Sequence, residues 1–204
     1  MRNDNEVART IPRSSAQLDL GLDAGAYIDH EDQAKGRPSW VVRRNPNTGE
    51  RQLEKFIWGL LPHRTKNPST APRPINARAE TVSEPPMFAA AFRQRRAIVP
   101  ADAYYQRRTR GGLGLFAISR KDGRPMAIAG LWETFKQPNG NIIQTYCTIT
   151  TAANSLVEPI HNRMRSFLRR KTGRCGSVSD RAIQARSFTR RRLTCCKYIL
   201  CERG

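Results

Sequence analysis

Short runs of alternating apolar and polar residues recur through the middle of the chain, and turn-forming residues separate them. The first two runs are Ser39–Arg44 and Arg51–Leu60, with the turn sequence Asn-Pro-Asn-Thr-Gly-Glu between them. Alternation places every second side chain on the same face of a strand, so both runs are predicted to be strands, the second returning along the first. Residues 1–37 are polar with weak periodicity and predict no definite element.

A helical period stands out at Glu84–Arg96. Its apolar residues Met87, Phe88, Ala91 and Phe92 recur at spacings of three and four, which places them along one face of a helix. Two prolines at the start of the segment suit the first helical turn, where a missing N–H costs nothing. We therefore expect one short helix here.

Short strands are predicted again after the helix. They are Ala97–Pro100, Tyr104–Arg108, Leu115–Arg120, Met126–Phe135 and Ile142–Thr151. The turn residues Lys-Asp-Gly-Arg predict a hairpin between the third and fourth of these strands. Asn154–Ile160 predicts a helical turn with His161 at its end. Many short strands with few helices indicate the α+β class: a β-rich single domain whose sheet curls toward a barrel, with short flanking helices.

The charge of the chain is strongly basic, which favours a polyanion as partner. The 204 residues suffice for one domain, and they carry a formal net charge of +19 with a pI near 10.9. Nucleic acid is the commonest partner of such a protein. Residues 165–204 hold twelve Lys and Arg but few apolar residues. We therefore predict a domain over residues 1–164 and a basic tail over residues 165–204 that is disordered or aberrant.

Cysteine usage gives no sign of a metal site or of secretion. Four of the five cysteines follow Met164, without paired Cys-x-x-Cys spacing or a nearby histidine, so neither zinc nor another cofactor is expected. The odd cysteine count and the lack of a signal peptide predict a reducing, cytoplasmic environment. No apolar run approaches the roughly 20 residues that span a bilayer. The expectation is a monomer without a membrane partner, with Cys147 as a buried small hydrophobe.

Alternating polar residues in one extended segment are the strongest candidates for a binding site. Asn76, Arg78 and Glu80 alternate with Ala77 and Ala79, so the polar side chains should share one face while the alanines allow close packing on the other. An amide beside a guanidinium suits a phosphate or a bound carbonyl. The same pattern also fits a solvated strand face with an internal Arg–Glu pair.

Five short motifs occur in a characteristic order and spacing. They are Trp58-Gly59-Leu60, Asn76–Thr81, Arg95–Gln106, Ala129–Glu133, and Thr148–Asn154 together with Pro159–Met164. Over about Ser39 to Met164 the chain resembles the SRAP (SOS response-associated peptidase) family, while residues 1–38 match it poorly. The resemblance implies a single β-rich domain that binds single-stranded DNA and captures abasic sites covalently. It also implies autoproteolytic removal of the residues before an N-terminal cysteine.

The resemblance further implies which residues act on DNA. In the family, the amine and thiol of a cysteine at position 2 trap the ring-opened sugar as a thiazolidine. Candidate catalytic residues here are Asn76, His161 and Gln106, the last standing where the family has a glutamate. Candidate DNA-binding residues are Asn76, Arg78, Trp58, Thr150 and Arg163. We expect Glu80 to orient Arg78 rather than to act on a substrate.

Three features depart from the family pattern. Position 2 is Arg2, Gln106 replaces the glutamate, and Arg165 stands where Met164 is usually followed by proline. An amide keeps the size of the carboxyl group but cannot exchange a proton at neutral pH. We therefore expect covalent capture to be impaired.

These departures leave three explanations open: a misassigned or lost start, a degenerate copy with an altered reading frame after Met164, or a noncovalent single-strand binder of the same fold. A peptidase acting on other proteins is a further alternative, for which no nucleophile–base arrangement is visible.

Overall fold

The computed structural model describes residues 35–108, 114–120, 125–168 and 198–202. In that part the chain forms ten β-strands and one α-helix. The elements are β1 (Pro38–Arg44), β2 (Arg51–Trp58), β3 (Asn76–Arg78), α1 (Pro86–Gln94), β4 (Arg96–Ala101), β5 (Ala103–Arg107), β6 (Leu115–Arg120), β7 (Met126–Lys136), β8 (Ile142–Ala152), β9 (Arg163–Arg165) and β10 (Tyr198–Glu202). The strands and the helix predicted from the periodicity before residue 165 are all present, within a few residues of their expected bounds.

Five of the strands close into a barrel. β1 pairs with β2 and β4, and β7 lies between β4 and β8, all in antiparallel pairs. The ring closes where β2 meets β8 in parallel, with Ile57 opposite Thr145 and Trp58 opposite Tyr146. Closure removes the exposed edges that an open sheet would leave. It confirms the predicted β-rich α+β fold with a sheet that curls into a barrel.

Apolar clusters cover both faces of the barrel wall. Along β7, Ile128 and Trp132 belong to the cluster inside the barrel, whereas Leu131 belongs to the cluster beneath α1. The helix contributes Phe88 and Phe92 to the second cluster. A helix of nine residues is too short to be stable alone in water, so this packing rather than helix propensity holds α1 in place.

Gly59 directs the chain from β2 toward the segment that carries Asn76. Its φ of 128° lies in a region that L side chains rarely adopt, and a Cβ atom there would lie 3.3 Å from the Cβ of Arg73. Beyond this residue, the Leu60 N–H donates to the carbonyl of Pro74 and the Leu61 N–H donates to Thr145 Oγ1. The bend therefore fixes the returning segment alongside β8.

The hairpin predicted between Leu115–Arg120 and Met126–Phe135 is wrong. β6 pairs with β5 and β10 in a separate three-stranded sheet, whereas β7 pairs with β4 and β8 in the barrel. The local turn residues suggested a return of the chain. The apolar alternation of β7 instead matches the buried strand β4, and this long-range pairing decides the partner.

The chain stays within the barrel sheet a few residues beyond Met164. β9 pairs with β8 up to Arg165, Phe167 bridges to Ile128, and both Phe167 and Ser166 are buried. The division between a domain and a tail at this point remains a prediction, and most of residues 169–204 lies outside the described residues. Within the described ranges, no helix is long and apolar enough to cross a membrane.

Candidate functional site

Three strands place polar side chains on one face at the end of the barrel. β3 runs parallel to β8 on one side, with Asn76 opposite Thr148 and Arg78 opposite Thr150, and β9 runs antiparallel on the other side. Because alternate residues of a strand share a face, the polar residues of all three strands meet. We call this surface the three-strand polar face; it consists of Asn76, Arg78, Glu80, Thr148, Thr150, Arg163 and Arg165.

The packing of β3 follows its sequence pattern. Ala77 and Ala79 are 3% and 5% exposed and belong to the cluster beneath α1, whereas Arg78 and Glu80 are exposed. The small residues allow the backbone to approach this cluster closely, with the Ala79 N–H donating to the carbonyl of Thr150. The prediction of a polar row backed by two buried alanines is confirmed.

The inner end of the face is a hydrogen-bonded cluster of Asn76, Thr148 and Arg165. Arg165 Nη1 donates to Asn76 Oδ1 and to Thr148 Oγ1, and the Thr148 hydroxyl donates to the same Oδ1 over 2.7 Å. A guanidinium has no acceptor, so the Asn76 atom that faces it must be the amide oxygen. The NH₂ group of Asn76 therefore lies on the edge of the amide that is turned away from Arg165.

Aromatic rings enclose the guanidinium of Arg165. Its central carbon lies 5.4 Å from the ring centre of Trp58 and 5.8 Å from that of Tyr104, and the residue is 4% exposed. Trp58 is 2% exposed, stacks on Tyr146 and donates from Nε1 to the carbonyl of Ile75 over 3.0 Å. The expected contact of Trp58 with DNA stays a prediction, and it requires this packing to open.

The outer end of the face is built around an ion pair. Arg163 donates to the two carboxylate oxygens of Glu80 over 2.9 and 2.8 Å, and to the carbonyl of Thr150 over 2.8 Å. The hydrogen bond from Arg163 is the main cause that holds the pKa of Glu80 below its usual value. The prediction that Glu80 orients Arg78 is wrong, because β9 supplies a guanidinium in bidentate geometry that β3 itself cannot provide. Arg78 is exposed at this end.

His161 lies at the start of β9, next to the outer end. The predicted helical turn before it is present, with the N–H of His161 donating to the carbonyl of Val157. The backbone N–H of Arg163 donates to His161 Nδ1 over 2.9 Å. The carbonyl of Arg163 also lies 3.1 Å from Nδ1, so the backbone of Arg163 holds the ring through this nitrogen.

Gln106 lies on β5, in the second sheet. It is 8% exposed, and it points to the same side of β5 as Tyr104, whose ring contacts Arg165. In the part of the chain that the structure describes, no hydrogen bond joins Gln106 to Asn76 or His161. Arg2, another departure from the family pattern, lies outside the described residues.

Two further residues were not predicted from the sequence to have a role in the site or an unusual environment. Arg165 was assigned to the tail, although its alternation with Arg163 around buried Met164 was a strand signal that could have found it. Burial raises the pKa of Asp102, between β4 and β5, to about 7. Among the described residues, neither carboxylate oxygen of Asp102 has a hydrogen-bond partner. No pattern in the sequence indicates that desolvation.

Comparison with known proteins gives one consistent family. The family model described as SOS response associated peptidase (SRAP) matches residues 7–175. The chain is 40% identical over 154 residues to the abasic site processing protein YoqW of Bacillus subtilis, which covers 74% of this chain and 67% of that protein. It is 36% identical over 154 residues to the abasic site processing protein YobE of the same species, covering 74% and 69%.

Solved structures share the fold. A protein from Bordetella bronchiseptica superposes with a TM-score of 0.72 at 22% identity, covering 98% of this chain and 99% of that one. A protein from Bacteroides thetaiotaomicron superposes with a TM-score of 0.60 at 27% identity, covering 66% and 60%. The barrel and the strands around it are therefore an architecture that other proteins also adopt.

Proposed function

Because the chain belongs to the SOS response associated peptidase (SRAP) family, we propose that it binds single-stranded DNA at abasic sites through the three-strand polar face. The names of its relatives support an abasic site as the substrate. The observation that carries the proposal is the gradient along this face, from the half-buried amide of Asn76 at the inner end to the exposed guanidinium of Arg78 at the outer end.

The two ends of the face suit different parts of an abasic strand. A ring-opened abasic sugar presents oxygen acceptors without a base above them, and a neutral amide donor such as that of Asn76 suits these acceptors. The flanking phosphates carry charge, which suits Arg78 and the Arg163 guanidinium above Thr150. Phosphate contacts position any single strand, whereas the contact of Asn76 requires the missing base. Preference for the lesion would therefore come from the inner end.

His161 is the proposed proton-transfer group beside this site. Condensation of an amine with the sugar aldehyde forms a carbon–nitrogen bond and releases water, so a proton must reach the departing hydroxyl group. In its imidazolium form, the ring of His161 can donate this proton, and the imidazole that remains can accept one in return. Gln106 cannot share this task, because an amide does not exchange a proton at neutral pH. We therefore propose that covalent capture is impaired while noncovalent recognition persists.

A binding experiment tests the recognition step. Fluorescence anisotropy is measured with a short labelled single strand that carries one stable abasic analogue and with the same strand intact. The abasic strand is expected to bind more tightly. Arg78→Ala should weaken the binding of both strands about tenfold and reduce the slope of log affinity against log salt concentration by about one. Asn76→Ala should remove only the preference for the abasic strand.

Arg93→Ala is the matched control, because Arg93 lies in the last turn of α1, where the helix packs on the opposite face of the barrel wall. Equal binding of both strands that is nevertheless sensitive to Arg78→Ala would point instead to a general single-strand binder of the same fold. If Arg78→Ala changes no more than Arg93→Ala, the proposed site is wrong.

A denaturing gel tests the covalent step separately. The protein is incubated with a strand that contains a true abasic site, with and without borohydride, which fixes a transient Schiff base. We expect no stable shifted band, or a band that requires borohydride. The thiol of Cys147 is no substitute nucleophile, since it is fully buried and burial raises its pKa to about 12. A strong band without reductant would contradict the impaired chemistry.

A further inference from the structure

We infer that Arg165 is a positioning residue that fixes the amide of Asn76 and thereby sets the inner end of the three-strand polar face as a hydrogen-bond donor to ligands. The inference deepens the proposed function, on which its DNA readout rests. Arg165 touches no DNA in this scheme; it acts through Asn76.

In the inner cluster, the Thr148 hydroxyl has two acceptors within reach: Asn76 Oδ1 at 2.7 Å and the more distant carbonyl of Ile75 at 3.4 Å. Arg165 can only donate, so the hydroxyl of Thr148 accepts from Arg165 and uses its own hydrogen toward Asn76 Oδ1. The amide oxygen then receives hydrogen bonds from both neighbours. Rotation of the amide by half a turn would direct its NH₂ group at a guanidinium, placing donors against donors. The positive charge of Arg165 therefore determines which edge of the amide faces inward.

Packing holds Arg165 in this position. Its guanidinium lies between the rings of Trp58 and Tyr104, and its backbone pairs with Thr150 in the sheet. At 4% exposure, the side chain cannot swing toward solvent without opening the aromatic contacts. A lysine would keep the charge, but it lacks the planar, delocalised guanidinium that lies close to the rings of Trp58 and Tyr104.

The charge of Arg165 acts on neighbouring groups as well. Burial is the main cause that raises the pKa of Tyr146, and the guanidinium of Arg165 partly offsets this rise. The same charge opposes the effect of burial on the Cys147 thiol.

The first test needs no DNA. Side-chain amide signals of Asn76 are followed by nuclear magnetic resonance in the full chain, in Arg165→Met and in Arg165→Lys. The Asn76 signals should shift strongly in Arg165→Met and partly return in Arg165→Lys, while the signals of exposed Asn139 stay in place. A well-folded Arg165→Met protein with unchanged Asn76 signals would overturn the inference.

If Arg165→Met does not fold, the variants Thr148→Val and Arg165→Gln provide the same test. The first variant removes the relaying hydroxyl at nearly constant volume, and the second keeps a planar donor without the charge. Either one must shift the Asn76 signals. No shift in whichever variant folds contradicts the role assigned to Arg165.

The second test links Arg165 to recognition. In the anisotropy experiment, Arg165→Met should reduce the preference for the abasic strand roughly two- to tenfold, the range of one misplaced neutral hydrogen bond, while binding to the intact strand holds. If Arg165 had a purely structural role, Arg165→Met would weaken binding to the abasic and the intact strand by the same factor. Absence of any preference in the unaltered chain would instead contradict the proposed function, and the resonance experiment would still decide the role of Arg165.

Discussion

Two ion pairs of the same chemistry lie on opposite faces of the barrel wall and differ in burial. Arg163 and Glu80, on the three-strand polar face, have side chains that are 23% and 47% exposed. Arg95 and Glu133, on the side of α1, are 20% and 2% exposed and meet at 2.7 Å. The carboxylate of Glu133 also lies 3.3 Å from Nδ1 of His63. Arg163 reaches both carboxylate oxygens of Glu80, whereas Arg95 reaches one oxygen of Glu133, and the buried pair lies in the lower dielectric.

This difference separates a pair that serves the fold from a pair that we propose to serve a ligand. An exposed ion pair contributes little net stability, so Arg163 loses little when a phosphate replaces Glu80 as its partner. A buried pair is different, because removal of one member leaves the other charged without solvent. The polar face can therefore exchange partners, whereas the pair beneath α1 must stay intact.

Matched substitutions on the two arginines should give the largest effect. Arg95→Met should lower the free energy of unfolding by about 3–5 kcal/mol, since Glu133 would keep a buried charge without its guanidinium. Arg163→Met should lower it by less than about 1 kcal/mol. Urea unfolding followed by tryptophan fluorescence measures both values. Equal losses in the two variants would break the comparison, and a large loss for Arg163→Met would make the outer pair structural.

The sequence anticipated the strands better than it anticipated their partners. Alternation predicted β1, β2 and β8 because a half-buried strand shows its period locally. It failed at β6 and β7, where the turn residues between them suggested a hairpin and the buried faces of distant strands determined the pairing. Local signals do not contain that information.

The site was anticipated to a similar extent. Alternation predicted the polar row of Asn76 and Arg78 that the structure shows, whereas the roles of these residues and of His161 in a site stay predictions. The partner of Glu80 and the role of Arg165 both depend on β9, which lies beside β8 only in the folded chain. Cross-strand contacts of this kind join residues more than 80 positions apart, as between Arg163 and Glu80, and a period of two cannot indicate them.

Asp102 extends the comparison, because its carboxylate lacks a hydrogen-bonding partner such as the Arg95 that pairs with Glu133. Burial raises its pKa to about 7, against 3.8 for the free side chain, so the folded protein keeps a proton that the unfolded chain releases between these values. Stability should therefore be fully present below about pH 4 and fall as the pH rises toward about 7. Glu80, with its lowered pKa, behaves in the opposite sense: its contribution is lost as the solution becomes acidic.

Asp102→Asn should accordingly stabilise the protein at alkaline pH, by an amount smaller than the loss in Arg95→Met. We expect a gain of roughly 1–3 kcal/mol at about pH 8, because the amide avoids burying a charge, and almost no gain below about pH 4, where the carboxyl is already neutral. Urea unfolding across this range measures the difference. Glu50→Gln, in the exposed turn between β1 and β2, controls for the loss of one negative charge. A gain that stays constant with pH would mean that Asp102 is not desolvated, and the contrast between paired and unpaired carboxylates would then rest on Glu133 alone.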